Sequence, residues 1–352
     1  MHSLTIIVTY YNSEEYIQSC IESIKQQRTQ DFEVIIVNDG STDQTEALMK
    51  ESLKDYDKKV NYIKLEENQG HAHARNVAMK EVETPYFMFL DADDELASYA
   101  ITFYLDKFNY TDGLIAPVHS FMLKKPQYVD LDKVKVNYFD GKRNINSFLR
   151  KQTACNIIFR TAIVRAHDLK FNEDLNVYTD WSFVIEYSKY VNKFMRITNF
   201  SFYYRGEVYD PFDGKTLSEQ DFDILFEDYV KMFYDAMARV THKETKSFII
   251  NKLEQQIARD FDPTHHDIKK RYAAHKETLV ELARYLNVNL IKHQHLINKI
   301  ETILLMNEDT EKAFQVNQFR KTLRHVKNVV LRNKNKDRSI YELTDKEDNV
   351  KP

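Results

Sequence analysis

The chain has 352 residues, 43% of them hydrophobic and 30% charged, which supplies a packed core and excludes global disorder. A formal net charge of -4 argues against a dedicated nucleic-acid binder. Cys20 and Cys155 are the only cysteines, so neither a disulfide framework nor a thiolate metal cluster is available.

The N-terminus runs directly into an apolar segment without a basic leader, and no apolar run approaches the roughly 18 residues of a membrane span. A soluble cytoplasmic protein is therefore expected. At roughly 150 residues per domain, the length suggests two domains. Residues 4–9 form a continuous apolar run, followed by a helical pattern over 13–26. A second strand at 33–37 precedes a helix at 41–53, a third at 60–65 precedes a helix at 72–80, and 86–90 is a fourth strand, apolar throughout. Strands apolar on both faces suit burial between helix layers, so the expected fold is α/β with a mostly parallel central sheet. All six glycines lie within the first 214 residues, and beyond them the only prolines are Pro263 and Pro352. With both strong helix breakers nearly missing, 215–331 reads as an all-helical region. The expected domains are thus 1–214, 215–331 and a charged linker or tail at 332–352.

In parallel α/β sheets, ligands bind at the carboxyl ends of the strands. Here the first strand ends in Thr9-Tyr10-Tyr11-Asn12, and the second in Asn38-Asp39-Gly40-Ser41-Thr42-Asp43. The third is followed by Asn68-Gln69-Gly70-His71-Ala72-His73-Ala74-Arg75-Asn76, and the fourth ends in Asp91-Ala92-Asp93-Asp94-Glu95. Taken singly, the second and third are ordinary turns and caps. The acidic run is different. Carboxylates crowded at the end of an apolar strand repel one another, and a hard divalent cation bridging carboxylate to phosphate would offset this.

The four strand ends together resemble the family-2 glycosyltransferases, whose GT-A fold binds a nucleotide sugar and carries an Asp-x-Asp metal motif. The resemblance is strong over 4–100 and looser over 101–210. It implies that Thr9, Tyr11 and Asp39 hold uracil and ribose, and that Asn68 and Arg75 contact the nucleotide. Asp91 and Asp93 match the Asp-x-Asp, which would take Mg²⁺ or Mn²⁺ with Asp93 as the more direct ligand. Two departures stand out: Thr9 replaces a frequent proline, and Asn38 replaces the first acid of an acidic pair. The residues themselves agree with this assignment. A tyrosine ring can stack on a base, a carboxylate can accept the imide proton of uracil, and Arg75 offers a planar cationic fork. His71 and His73 read as surface histidines.

Inverting sugar transfer needs a general base opposite the leaving diphosphate. The family takes it from an acidic pair at a helix start, and Tyr178-Thr179-Asp180-Trp181 is the best match, leaving Asp180 as the base. The competing reading is a helix-start charge worth about 0.3–1 kcal/mol. Asp174 and Glu173 are weaker substitutes, and Trp181 is either a sugar platform or a core residue. The family's histidine after the last strand is missing from 203–210, where Arg205 could partly compensate by binding diphosphate. Phe222, Leu225, Phe226, Tyr229 and Phe233 recur at helical spacing and read as core. Between Phe319 and Arg338 lie eight Lys/Arg and one acid, a pattern for a solvated helix, an anionic polymer or a membrane surface.

The Tyr and Phe content and the helical half look similar to bacterial wall teichoic acid glycosyltransferases, some fused to a C-terminal polymerase. The expectation is transfer of a HexNAc or hexose from a UDP-sugar to an anionic polyol-phosphate polymer, in the cytoplasm or at the inner membrane face. The alternatives are another surface polysaccharide as acceptor, nucleotidyl transfer, or a nucleotide-sugar-binding scaffold without turnover. Nucleotidyl transfer would call for a Gly-rich triphosphate loop, and none is visible. No nucleic-acid partner is expected, and a homo-oligomer is left open.

Overall fold

The computed structural model describes residues 3–107, 111–115, 118–120, 130–149, 153–155, 157–205, 219–241, 243–261 and 267–289. Three strand–helix units open the chain: β1 (Leu4–Tyr10) and α1 (Ile17–Lys25), β2 (Glu33–Asn38) and α2 (Thr45–Ser52), then β3 (Val60–Lys64) and α3 (His71–Lys80). They are followed by β4 (Tyr86–Asp91), β5 (Glu95–Leu96), α4 (Ala100–Lys107), β6 (Gly113–Ile115), β7 (Val118–Ser120) and β8 (Val136–Asp140). Next come α5 (Gly141–Phe148), β9 (Ile157–Arg160), α6 (Thr161–Ala166), α7 (Thr179–Ser188), β10 (Lys193–Ile197) and β11 (Tyr203–Arg205). The elements described after them are helices: α8 (Glu219–Arg239), α9 (Lys243–Asp260), α10 (Ile268–Ala274) and α11 (Lys276–Asn289).

The main sheet has the order β3-β2-β1-β4-β9-β6-β10-β8. Its first four strands are parallel, and the apolar runs of β1, β2 and β4 are buried on both faces. Beyond them β6 and β10 also pair in parallel, so the sheet is mostly parallel as expected, with antiparallel pairs interspersed. β9 runs antiparallel to both β4 and β6, and β8 closes the edge antiparallel to β10. A second sheet, β5-β11-β7, has one antiparallel and one parallel pair. Periodicity revealed the strands that helices flank on both sides. It could not reveal β9, whose partners lie far away in sequence.

The first two helices start later than their apolar patterns suggest. Asn12 is left-handed (φ 48°), and residues 13–16 turn before α1 begins. Its backbone N–H donates to Ser41 Oγ (3.0 Å), and its side-chain carbonyl accepts the Thr42 N–H (2.9 Å). The polar residues before α1 and α2 thus tie two strand ends together instead of extending the helices.

Asn38, standing where an acid is frequent, is fully buried, and its side-chain carbonyl accepts the Ser41 N–H. Its amide donates to Glu46 Oε2 (3.3 Å), which also takes Lys64 Nζ (2.6 Å) while Oε1 takes Lys50 (2.5 Å). Lys50 and then Lys64 hold the Glu46 carboxyl down to about 2 from its ordinary 4.5. The stabilisation is therefore present above pH 4.5 and lost as pH falls toward 2. Both lysines are more than half exposed, so solvent screens most of it. Glu46→Gln should cost about 1 kcal/mol at pH 7, and urea titrations should show that difference closing below pH 4.5.

The chain divides into two compact units, 1–252 and 253–352. The break falls inside α9, so α8 belongs to the first unit. Phe226, Tyr229, Val230 and Phe233 of α8 are buried, and Tyr229 meets Trp181 at 5.7 Å. Glycine-free sequence marks a change of secondary structure here. Residues 290–352, which hold the basic segment, lie outside the described residues. Among the described residues, no helix is long and apolar enough to cross a membrane.

Candidate active site

A cleft of about 510 Å³ opens at the carboxyl ends of β1, β2 and β4. Thr9, Tyr11, Asp39, Asn68, Asp91 and Asp93 all line it, so residues up to 84 positions apart meet at one sheet edge. The loops are held by backbone hydrogen bonds to side chains. Asp39 is buried, and its two oxygens accept the N–H groups of Gln69 (2.9 Å) and Gly70 (3.0 Å). Asn68 Oδ1 accepts from Gly70 as well. Gly40 has φ +69°, and a Cβ there would lie 2.4 Å from the Glu67 carbonyl carbon, so glycine is required where these loops cross. Tyr11 is 43% exposed, leaving a ring face open to the cleft.

Ligand oxygens of Asp91, Asp93 and Asp94 lie within 4.8 Å of one another. Such a set fits a hard divalent cation. Asp93 is exposed, whereas Asp94 is buried and accepts the Tyr203 hydroxyl (2.6 Å). The same hydroxyl receives the Asp91 N–H (3.2 Å), so β11 braces the acidic turn from below. Sequence reasoning assigned ligand roles to Asp91 and Asp93 alone. The adjacency of Asp94 was visible, but its orientation depends on Tyr203.

Arg75 is 1% exposed and is not among the residues that line the cleft. It sits behind the wall and joins two carboxylates: Nη2 donates to Asp91 Oδ1 (2.8 Å), and Nη1 donates to Asp180 Oδ1. Its guanidinium lies over the rings of Phe89 (4.8 Å) and Phe171 (5.2 Å). Burial opposes its charge, and the neighbouring carboxylates of Asp180 and Asp91 raise its pKa regardless. Asp91 keeps a quarter of its side chain in solvent, yet crowding by protein would raise its pKa. Arg75, His71 and the Cys155 thiol outweigh that and hold it at about 2. Cys155 donates to Asp91 Oδ2 (2.9 Å), and burial raises its own pKa, so it stays a thiol. No sequence pattern around Cys155 signals this position.

Asp180 lies in the first turn of α7, but its side chain does not cap that helix. The N-cap is Tyr178, which makes no side-chain cap bond. Asp180 Oδ2 instead accepts the Ala154 N–H (2.8 Å) and the Thr153 hydroxyl (3.2 Å), with Arg75 on Oδ1. A fifth of the side chain remains exposed. The helix-start reading therefore does not explain its orientation.

The other candidates separate clearly. Glu173 accepts from Asn76 Nδ2 (2.7 Å) and lies 3.0 Å from His73 Nδ1; the Asn76 bond and then the His73 contact lower its pKa. It works as a structural anchor for α3. His71 is exposed and lines the cleft, with Nδ1 3.5 Å from Thr9 Oγ1. Trp181 is fully buried, which makes it core and removes it as a sugar platform. Arg205 ends β11, and its side chain lies outside the described residues.

Residues 5–167 match the family described as Glycosyl transferase family 2. Over its whole length the chain is 72% identical to the teichoic acid poly(glycerol phosphate) polymerase of Staphylococcus epidermidis, and it spans 49% of that protein. It is 28% identical over 224 residues to the poly(ribitol-phosphate) beta-N-acetylglucosaminyltransferase TarS of Staphylococcus aureus, covering 58% of this chain and 35% of TarS. Among solved structures, S. aureus TarS 1–349 with UDP superposes at a TM-score of 0.63 and 19% identity, over 90% of this chain and 92% of that one. The same fragment with UDP-GlcNAc gives 0.62 and 18%, over 88% and 92%. Strand order, strand-end cleft and these likenesses converge on one reading: the chain has a GT-A-like fold, and its residues 5–167 are similar to the family 2 glycosyltransferases.

Proposed function

We propose that this domain transfers a HexNAc or hexose, with inversion, from a UDP-sugar to an anionic polyol-phosphate polymer of the cell wall. The carrying observation is the joining of Asp91 and Asp180 through Arg75, which fixes a metal-side carboxylate and a base candidate against each other. Tyr11 would stack on uracil, and Asp39, held by two backbone amides, would keep an oxygen lone pair for the imide proton. Asp91, Asp93 and Asp94 would hold Mg²⁺ or Mn²⁺. The bound cation would neutralise charge on the diphosphate as it leaves. Asp180 would take the acceptor hydroxyl proton as that oxygen bonds to the anomeric carbon and the bond to UDP breaks. TarS, solved with UDP and with UDP-GlcNAc, supports the UDP-sugar donor, and the names of the two relatives support the acceptor class.

Three donors crowd Asp180, and that observation favours a second reading: a nucleotide-sugar-binding module without turnover. A screen of UDP-sugars with Mn²⁺ and poly(glycerol phosphate) or poly(ribitol phosphate), read as UDP release, separates the two. Sugar-specific release supports transfer; tight UDP binding without release supports the module. In the same assays Asp93→Ala should abolish metal-dependent UDP binding while the melting temperature holds, because Asp93 is exposed. Calorimetry showing unchanged Mn²⁺-dependent UDP affinity would remove this metal site.

A further inference from the structure

The turn that precedes Asp180 is held by residues outside both the cleft and the family-matched stretch. Asp228, in the middle of α8, is 1% exposed. One of its oxygens, Oδ2, accepts the backbone N–H of Asn176 (2.6 Å) and of Val177 (3.0 Å). Lys231 Nζ stands 3.4 Å from the other oxygen and is itself 57% exposed. Burying a carboxylate is costly unless hydrogen bonds compensate, and here consecutive amides of a loop do so. The next residue, Tyr178, is left-handed (φ 61°, ψ 12°), an uncommon backbone for tyrosine that persists where its surroundings hold it. Its ring meets Tyr229, the neighbour of Asp228, edge-on at 5.0 Å. So α8 grips the turn twice, by its amides and by its ring, two residues before Asp180.

We infer that Asp228 is a positioning residue for sugar transfer, with Tyr229 as its companion. Together they fix the 176–178 turn, so that α7 starts at the angle that brings Asp180 to Arg75, Thr153 and the Ala154 amide. The inference rests on the reading of Asp180 as the base. Without Asp228 the two amides lose their acceptor, the turn relaxes toward ordinary backbone, and the Asp180 carboxylate leaves its alignment. The nucleotide loops on β1, β2 and β4 are held by other bonds and keep their shape.

The test uses the full chain with the UDP-sugar that the wild type turns over. Asp228→Ala should lower kcat roughly 10- to 100-fold, as a misplaced base does. UDP affinity by calorimetry and the donor KM should stay within about twofold, since they depend on the other loops. Asp228→Asn retains an acceptor oxygen of the same shape and should restore most of kcat. Hydrogen exchange at the amides of 176 and 177 should be slow in wild type and Asp228→Asn and fast in Asp228→Ala. Where Asp228→Ala does not fold, Tyr229→Leu loosens the ring grip alone and should show the same split between kcat and UDP affinity. Unchanged kcat, or kcat and UDP affinity falling together, overturns the inference. Asp180→Asn, measured alongside, keeps the two readings apart. If it retains turnover, the base assignment fails. If it loses turnover while Asp228→Ala does not, the positioning role alone fails. In the Asp180→Asn background, Asp228→Ala should cost no further turnover.

Discussion

Asp180→Asn is expected to cut turnover by roughly 10²–10⁴-fold, the usual contribution of a positioned general base. The amide keeps the shape of the side chain and one oxygen, enough to accept the Ala154 N–H and the Thr153 hydroxyl. It cannot take a proton at neutral pH. UDP affinity should change little, because Asp180 is absent from the cleft lining that holds Thr9, Tyr11 and Asp39. The melting temperature should fall modestly, as Arg75 loses one of two anionic partners and keeps Asp91. Turnover within threefold of wild type would take Asp180 out of the chemistry. Glu173 would not inherit the role easily, since Asn76 and His73 already engage it.

The sequence made the first half of the fold legible because local pattern and final burial coincide there. β1, β2 and β4 are apolar runs buried on both faces, and their polar ends became the cleft. The sheet beyond β4 was hidden, since antiparallel β9 owes its place to pairing with β4 and β6 rather than to its own periodicity. In the site, strand-end position predicted which residues would meet, but a motif does not reveal the direction in which a side chain points. Arg75 was assigned to the nucleotide by resemblance and by its planar cationic fork; α3 turns it inward between two carboxylates and two phenylalanine rings. Trp181 follows Asp180 directly, yet on a helix buried on nearly every face it could not reach an acceptor. Cys155 and Asp228 were out of reach of sequence reasoning altogether. Each matters through groups distant in sequence, Asp91 and Arg75 for the thiol and the 176–177 amides for the carboxylate.

Arg75→Met should be the most destabilising single change at the site, by about 3–5 kcal/mol, because it strands buried charge without its partner. Methionine fills much of the same volume between Phe89 and Phe171, so packing loss is the smaller part. Its electrostatic effect is larger. Asp91 and Asp180 would face each other with the cation gone, both mostly enclosed. Arg75→Lys should fall between the two, since one ammonium cannot reproduce a planar fork spanning two carboxylates. The pH dependence supplies an independent check. In wild type the Asp91 carboxyl is held at about 2, below its ordinary 3.8, so its favourable share is complete above pH 3.8 and lost as pH falls toward 2. The gap between wild type and Arg75→Met should therefore be widest near neutrality and narrow through that interval, as measured by urea unfolding. Neutralising the stranded acids should rescue the variant: Arg75→Met with Asp91→Asn and Asp180→Asn should regain most of the loss while remaining inactive. A loss under 1 kcal/mol at pH 7, or a gap that does not narrow on acidification, would show that the three charges are not energetically joined. The guanidinium would then be filling space behind the cleft rather than holding its two carboxylates in register.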